Sequence, residues 1–129
     1  MLEEALLAVE KYRDVLNSGN AHEVNKWISD DFIGYFGYYA DRDYEIYRGE
    51  AYKFGNVETI GAYKDKNAKW VYQDLTRNMR TENELILSAI VDFYFSDQKV
   101  ASALAMEVFK CEEGSWKLFR QHMERYAEV

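Results

Sequence analysis

The chain has 129 residues, 48% of them hydrophobic and 30% charged, a balance that suits one domain with a real core and excludes a disordered or collagenous chain. A formal charge of −7 leaves no positive field to draw phosphate backbones or anionic lipid, so neither nucleic acid nor membrane is an expected partner. No run reaches the roughly 18 apolar residues of a membrane span, and the acidic, periodic start MLEEALLAVEKYRDVL is unlike a signal peptide. The single Cys111 cannot close an internal disulfide, which fits a cytoplasmic location.

Leu2, Ala5, Leu6, Val9, Tyr12 and Leu16 recur at helical spacing and predict a first helix, ended by Asn17, Ser18 and Gly19. Asn20 followed by Glu23 has the form of a capping box and opens a short second helix with Val24, Trp27 and Ile28 turned inward. A strand is expected around Phe32 to Phe36. From Gly34 to Gly55 the pattern dissolves into tyrosines scattered among Gly, Asp and Arg, which reads as a mobile hairpin or lid. Asn56 is placed to cap a third helix carrying Val57, Ile60 and Tyr63. A strand from Trp70 to about Thr76 and a polar crossing, NMRTENE, lead into three strand-length runs between Leu85 and Met123. Helices first and a meander sheet last make an α+β domain spanning 1–129, with a curved antiparallel sheet and three N-terminal helices on its concave face.

The runs LILSAIVDFYF and VASALAMEVFK are apolar at nearly every position, where a strand with one wet face would alternate. Both faces of this sheet are therefore expected to be covered, one by helices and the other by a second copy of the chain. A two-residue turn at Glu113 and Gly114 sets Glu107 opposite Arg120 and Ala105 opposite His122. The same reasoning at SDQK sets Ser88 beside Glu107 and Asp92 beside Ala103. Leu85, Leu87, Ala89, Val91, Phe93, Leu104, Met106, Val108, Phe119, Gln121 and Met123 then share the dry face under the helices. Glu107, Trp116, Arg120 and His122 share the opposite face, which is expected to be the homodimer interface.

Helices followed by a meander and a last strand GSWKLFRQH at 114–122, together with Tyr12 to Asn20, Trp27 and the SDDF at 29–32, resemble the nuclear transport factor 2-like superfamily, nearest its SnoaL-like group. The resemblance covers nearly the whole chain and rests on order and spacing, since none of these motifs is unique. It implies a cone open at one end, holding a small apolar ligand between helices and sheet, and commonly dimeric. Members include ketosteroid isomerases, polyketide cyclases, dehydratases, epoxide hydrolases and noncatalytic association domains, so the fold leaves the chemistry open. Tyr12 matches the oxyanion-binding tyrosine of the ketosteroid isomerase branch, and Tyr63 a supporting tyrosine. That branch's two carboxylates would fall near Phe36 and Met106, where this chain has none, so steroid-type proton transfer is not expected.

The expected ligand-binding residues are Tyr12, Trp27, Phe36, Tyr63, Met106, Phe119, Gln121 and Met123, with the two tyrosines as polar anchors in a mostly apolar pocket. Tyr12, Trp27, Met106, Phe119 and Met123 have a plainer reading as core packing. Glu107, Arg120, His122 and Asp92 could activate water, but a cross-strand Glu107–Arg120 pair reads more readily as a structural bridge. Asp30, Asp31, Asp41 and Asp43 lack calcium-loop spacing. Two histidines and one cysteine do not make an ordinary zinc site, and Glu112 and Glu113 disfavour a Cys111 thiolate. No cofactor or metal is expected. The function to test is binding of a small hydrophobic organic molecule, with isomerase, cyclase or dehydratase-type chemistry, against a noncatalytic association or ligand-sensing module acting through its dimer surface.

Overall fold

A computed structural model of the protein describes residues 2–126, so the outer limits of the expected 1–129 domain lie outside the described residues. Helix α1 (Leu2–Leu16) buries Ala5, Ala8, Val9, Tyr12 and Leu16 along one stripe, and Glu3 and Glu4 sit in its first turn, where the helix dipole favours them. Helix α2 (Ala21–Asn25) starts at Asn20, whose side chain accepts from the Glu23 amide at 3.2 Å, as the capping signal requires. Strands β1 (Ile28–Tyr38) and β2 (Tyr44–Arg48), helix α3 (Gly49–Ala62) and strands β3 (Ala68–Thr81), β4 (Glu84–Phe95), β5 (Gln98–Glu112) and β6 (Ser115–Arg125) follow.

One six-stranded sheet has the order β2-β1-β6-β5-β4-β3. The meander β3 to β6 is antiparallel, but β1 lies parallel to β6, so the sheet is mixed where a purely antiparallel one was expected. The core lies between the helices and one sheet face, and joins Val9, Tyr12, Val24, Phe32 and Ile60 to Leu85, Leu87, Phe109 and Leu118. Register shifts interrupt every strand pair except β1–β2. Such bulges bend and twist strands, which is how a sheet curves around its helices.

The tyrosine-rich stretch is an ordered hairpin leading directly into a helix. Helix α3 begins at Gly49, seven residues before the expected cap. A Cβ at Gly49 would stand 2.8 Å from the Asp30 carbonyl oxygen, so glycine lets the helix start close on β1. Asn56 lies inside the helix and donates to Asn25 Oδ1 at 3.0 Å, tying α3 to α2. Strand β3 also outruns its expected end and absorbs most of the polar crossing. As an edge strand it keeps a polar outer row, and the Asn17 amide pairs with both the N–H and the C=O of Trp70, at 2.8 and 2.9 Å.

Two register differences decide which residues face inward. At the β4–β5 turn Phe95 pairs with Gln98, leaving Ser96 and Asp97 as the loop, and a register shift between Phe93 and Tyr94 then slips the pairing by one, so Glu107 faces Leu87 and Met106 faces Ser88. At β5–β6 the expected pairing holds from Glu112–Ser115 to Phe109–Leu118, and then a bulge at Phe119 slips it by one. Glu107 therefore faces Gln121, and Arg120 faces Val108. A one-residue slip moves a side chain to the other face: Ala103, Ala105 and Glu107 turn under the helices, while Leu104, Met106 and Val108 turn away.

Candidate functional site: a buried glutamate inside the cone

Arg77, Leu87, Glu107, Gln121 and Gly34 form one cross-strand row from β3 to β1 on the helix-covered face. Glu107, at its centre, is 1% exposed. Gln121 Nε2 donates to Glu107 Oε2 at 2.6 Å, and Gln121 Oε1 accepts from the Tyr52 hydroxyl at 3.1 Å. The Tyr52 ring stacks on Phe32 and Phe36, at centroid distances of 4.4 and 5.7 Å. Those two rings fold over Gly34, where a Cβ would meet them at 2.7 to 2.9 Å. Glycine at this position thus lets the stack close and aims the hydroxyl at Gln121.

Glu107 Oε1 is buried and has no partner among the described residues. Burial pushes the carboxyl upward from its ordinary value, and the Gln121 hydrogen bond and the Arg13 charge only partly oppose this. Burial likewise raises Tyr12, Tyr52 and Tyr72, and the Glu107 charge adds to each. Tyr12 lies edge-on to Trp27 and Phe109. Burial works against the charge of Arg13, but a bidentate pair with Asp74 outweighs it and raises this group as well.

The hydrogen-bond order has a chemical consequence. With Gln121 donating to Oε2, the acid form carries its proton on Oε1, the free oxygen. The ionised form offers the same oxygen as an acceptor. A carboxyl with a raised pKa in an apolar surrounding is suited to general acid and base work.

Of the eight expected ligand residues, Tyr12, Trp27, Phe36, Gln121 and Met123 lie on this interior side. Met106 does not: the register shift at Phe93 and Tyr94 places it on the outer face, 41% exposed. The Phe119 ring, at the bulge, sits between Lys110 and Arg120. Tyr63 ends α3 on the Trp70, Phe93 and Phe95 rings, of which Trp70 packs against the core. Among the expected interface residues, Glu107 is interior, and no Glu107–Arg120 pair forms because their strands are out of step. Trp116 packs against the core. Arg120 and His122 do lie on the outer face, where Arg120 donates to the Asp31 and Phe119 carbonyl oxygens at 2.7 and 2.8 Å and His122 sits 3.3 Å from Glu124. Tyr52, Arg13, Tyr72 and Asp74 were not anticipated; the available signal was one charged residue inside an apolar strand, whose facing hung on two register shifts.

Two grooves open beside the interior. One, of about 470 Å³ between α1 and β3, is lined by Leu6, Val9, Arg13, Trp70, Tyr72 and Leu87 among others. The second, of about 430 Å³, lies by Trp27 and Trp116. Glu107 lines neither, but Leu87, its cross-strand neighbour, forms part of the first. Among the described residues no group of His, Cys, Asp and Glu is placed to hold a metal ion, and no helix is long and apolar enough to cross a membrane.

The architecture is that of an α+β cone with a buried acid at its centre, and solved structures identify the fold. A candidate calcium/calmodulin-dependent protein kinase II association domain from Xanthomonas campestris superposes with a TM-score of 0.71 at 18% identity, over 98% of this chain and 88% of that one. A candidate scytalone dehydratase from Novosphingobium aromaticivorans gives 0.69 at 16% identity, over 93% and 83%. A nuclear transport factor 2-like protein from Shewanella oneidensis gives 0.70 at 10% identity, over 96% and 99%. No family model and no curated protein matches the sequence. The chain has the nuclear transport factor 2-like fold.

Proposed function

We propose that the protein binds a small hydrophobic organic molecule inside the cone and acts on it by proton transfer, in the manner of an isomerase, cyclase or dehydratase. The observation that carries this reading is Glu107 Oε1, a carboxyl oxygen buried among apolar residues with no protein partner. Leaving such an atom unpaired is costly, and a ligand removes that cost. Glu107 replaces Tyr12 and Tyr63 as the polar anchor, with Gln121 and Tyr52 orienting it. A candidate dehydratase among the structural neighbours is consistent with this chemistry.

Native mass spectrometry of the purified protein, with denaturing analysis of anything carried, tests the proposal. A small hydrophobic molecule retained by the wild type and lost from Glu107→Leu supports it. Retention by both, or an interior that takes up no such molecule, refutes it.

A second reading rests on the outer face, where Ile86 (38% exposed), Met106, Ile90, Leu104 and Val108 form an apolar surface that no helix among the described residues covers. A second copy covering that face makes a homodimer, and two structural neighbours are candidate association domains. In this reading the surface matters more than the cavity. An empty interior in a stable dimer would favour it.

A further inference from the structure

The groove of about 430 Å³ gathers two indole rings and three lysines. One wall is a single face of α1, with Glu4, Leu7, Ala8 and Lys11 at three- and four-residue spacing, and Leu7 is left 52% exposed on it. The other wall is Lys26 and Trp27, between α2 and β1, with residues 114–117 of the β5–β6 hairpin. This wall is held together by its backbone: the Leu118 amide donates to the Trp27 carbonyl oxygen at 2.7 Å, and Lys117 Nζ donates to the Lys26 carbonyl oxygen. Trp27 and Trp116 pack against the core and also line the groove, so their rings are fixed whether or not it is filled.

The chain carries −7 overall, yet this groove sets three ammonium groups against the single carboxylate of Glu4. Lys26 is already offset by Glu23, at 3.0 Å. Lys11 and Lys117 have no carboxylate within ion-pair distance among the described residues. An ammonium has three N–H donors, and the Lys26 carbonyl takes only one of those on Lys117. The charge is also ordered along the groove. Trp27 lies edge-on to Tyr12, 6.2 Å between centroids, which sets its end of the groove level with Lys11. Glu4 stands two helical turns back, about 10 Å along the axis.

We infer that this groove is a second binding site, for a small flat aromatic carboxylate, with its ring against Trp27, Trp116 and Leu7 and its carboxylate between Lys11 and Lys117. Its volume lies in the range of roughly 300–1,000 Å³ typical of small-ligand clefts. Fixed indole rings offer a large apolar area and stacking faces to a flat ring. Two ammonium groups act as point charges that a carboxylate can bridge. A neutral aromatic gains the stacking but no ion pair, and a cationic one meets like charge. The inference does not rest on the reading of Glu107, which lines neither groove.

The test titrates the whole, nitrogen-15-labelled protein at pH 7 and low salt with indole-3-acetate, indole-3-acetamide and tryptamine, which share a ring and differ in charge. The chain has three tryptophans, so three indole N–H resonances report, and Trp70, in the other groove, is the internal control. Indole-3-acetate is expected to shift Trp27 and Trp116 and leave Trp70 still. It should bind about tenfold tighter than the amide, from two partly exposed ion pairs at about threefold each, and tryptamine should bind weakest. Lys11 is exposed, so Lys11→Ala should fold normally, lower the indole-3-acetate affinity about threefold and leave the amide unmoved. An amide that binds as tightly as the acid overturns the inference, as does an acid affinity unchanged in Lys11→Ala. Shifts that fall on Trp70, or on none of the three, overturn it too. The wild-type shifts and the ranking of the probes decide the matter without the variant, and every outcome leaves the interior site to its own test.

Discussion

Replacing Glu107 by Gln keeps the shape of the side chain and removes its charge, so the variant isolates what ionisation costs the fold. The glutamine oxygen can still accept from Gln121, and its amide nitrogen stands where protonated Oε1 stood. Because burial raises the folded carboxyl above its ordinary 4.5, the folded protein holds this proton more tightly than the unfolded chain does. Below pH 4.5 both states keep the proton, and the stabilisation is fully present. Above it the unfolded chain ionises first, and stability is lost by ~1.4 kcal/mol per pH unit until the folded carboxyl ionises too. For a chain of this size that slope is roughly 5 °C of Tm per pH unit. Melting curves of wild type and Glu107→Gln from pH 4 to pH 9, followed by circular dichroism, should lie close together at the acid end, with the variant gaining as pH rises. The other carboxylates titrate alike in both proteins and cancel in the difference. Parallel curves throughout would refute the claim of a raised, buried carboxyl, and a wild type that gains on the variant with rising pH would reverse its sign.

Tyr52→Phe removes the bond that fixes the Gln121 amide and should cost about 1 kcal/mol in urea denaturation, with a change in the Glu107 titration seen by carboxyl NMR; an unchanged titration would remove Tyr52 from the network. Gly34→Ala forces a methyl against Phe32 and Phe36 and should destabilise by roughly 1 to 3 kcal/mol, whereas a neutral effect would mean that the stack over this strand gives way easily. If a second copy covers the apolar outer face, Met106→Glu puts a charge into that contact and should turn the dimer into a monomer in sedimentation velocity. A dimer that survives the change would place the contact elsewhere.

The helices and the meander were legible because their signals are local. Tyr12 and Leu16 repeat at helical spacing, Asn20 caps through Glu23, and the Glu113–Gly114 turn has positive φ at both positions, 50° and 83°, as a tight hairpin needs. The facing of the sheet depended on features with weak sequence marks. The register shift at Phe93 and Tyr94 and the bulge at Phe119 carry no Gly or Pro. Each shifts the count by one, and with period-two alternation one residue is enough to move Glu107 from an outer face to the centre of the interior. The parallel β1–β6 pairing was hidden for a different reason: it joins segments far apart in sequence, and no turn connects them.

That pairing also sets an order of assembly. Strands β3 to β6 fold onto sequence neighbours through short turns, whereas β1 must wait for β6, whose residues are the last of the sheet to be made. Closing so long a loop is entropically costly until the meander exists to receive the strand. Gln121 comes from β6 and Tyr52 from the helix that follows β1 and β2, so Glu107 gains its full set of partners only when both ends of the chain have met. The interior site is therefore among the last parts of the molecule to form, and pulse-labelled hydrogen exchange should find β4 and β5 amides protected before those of β1.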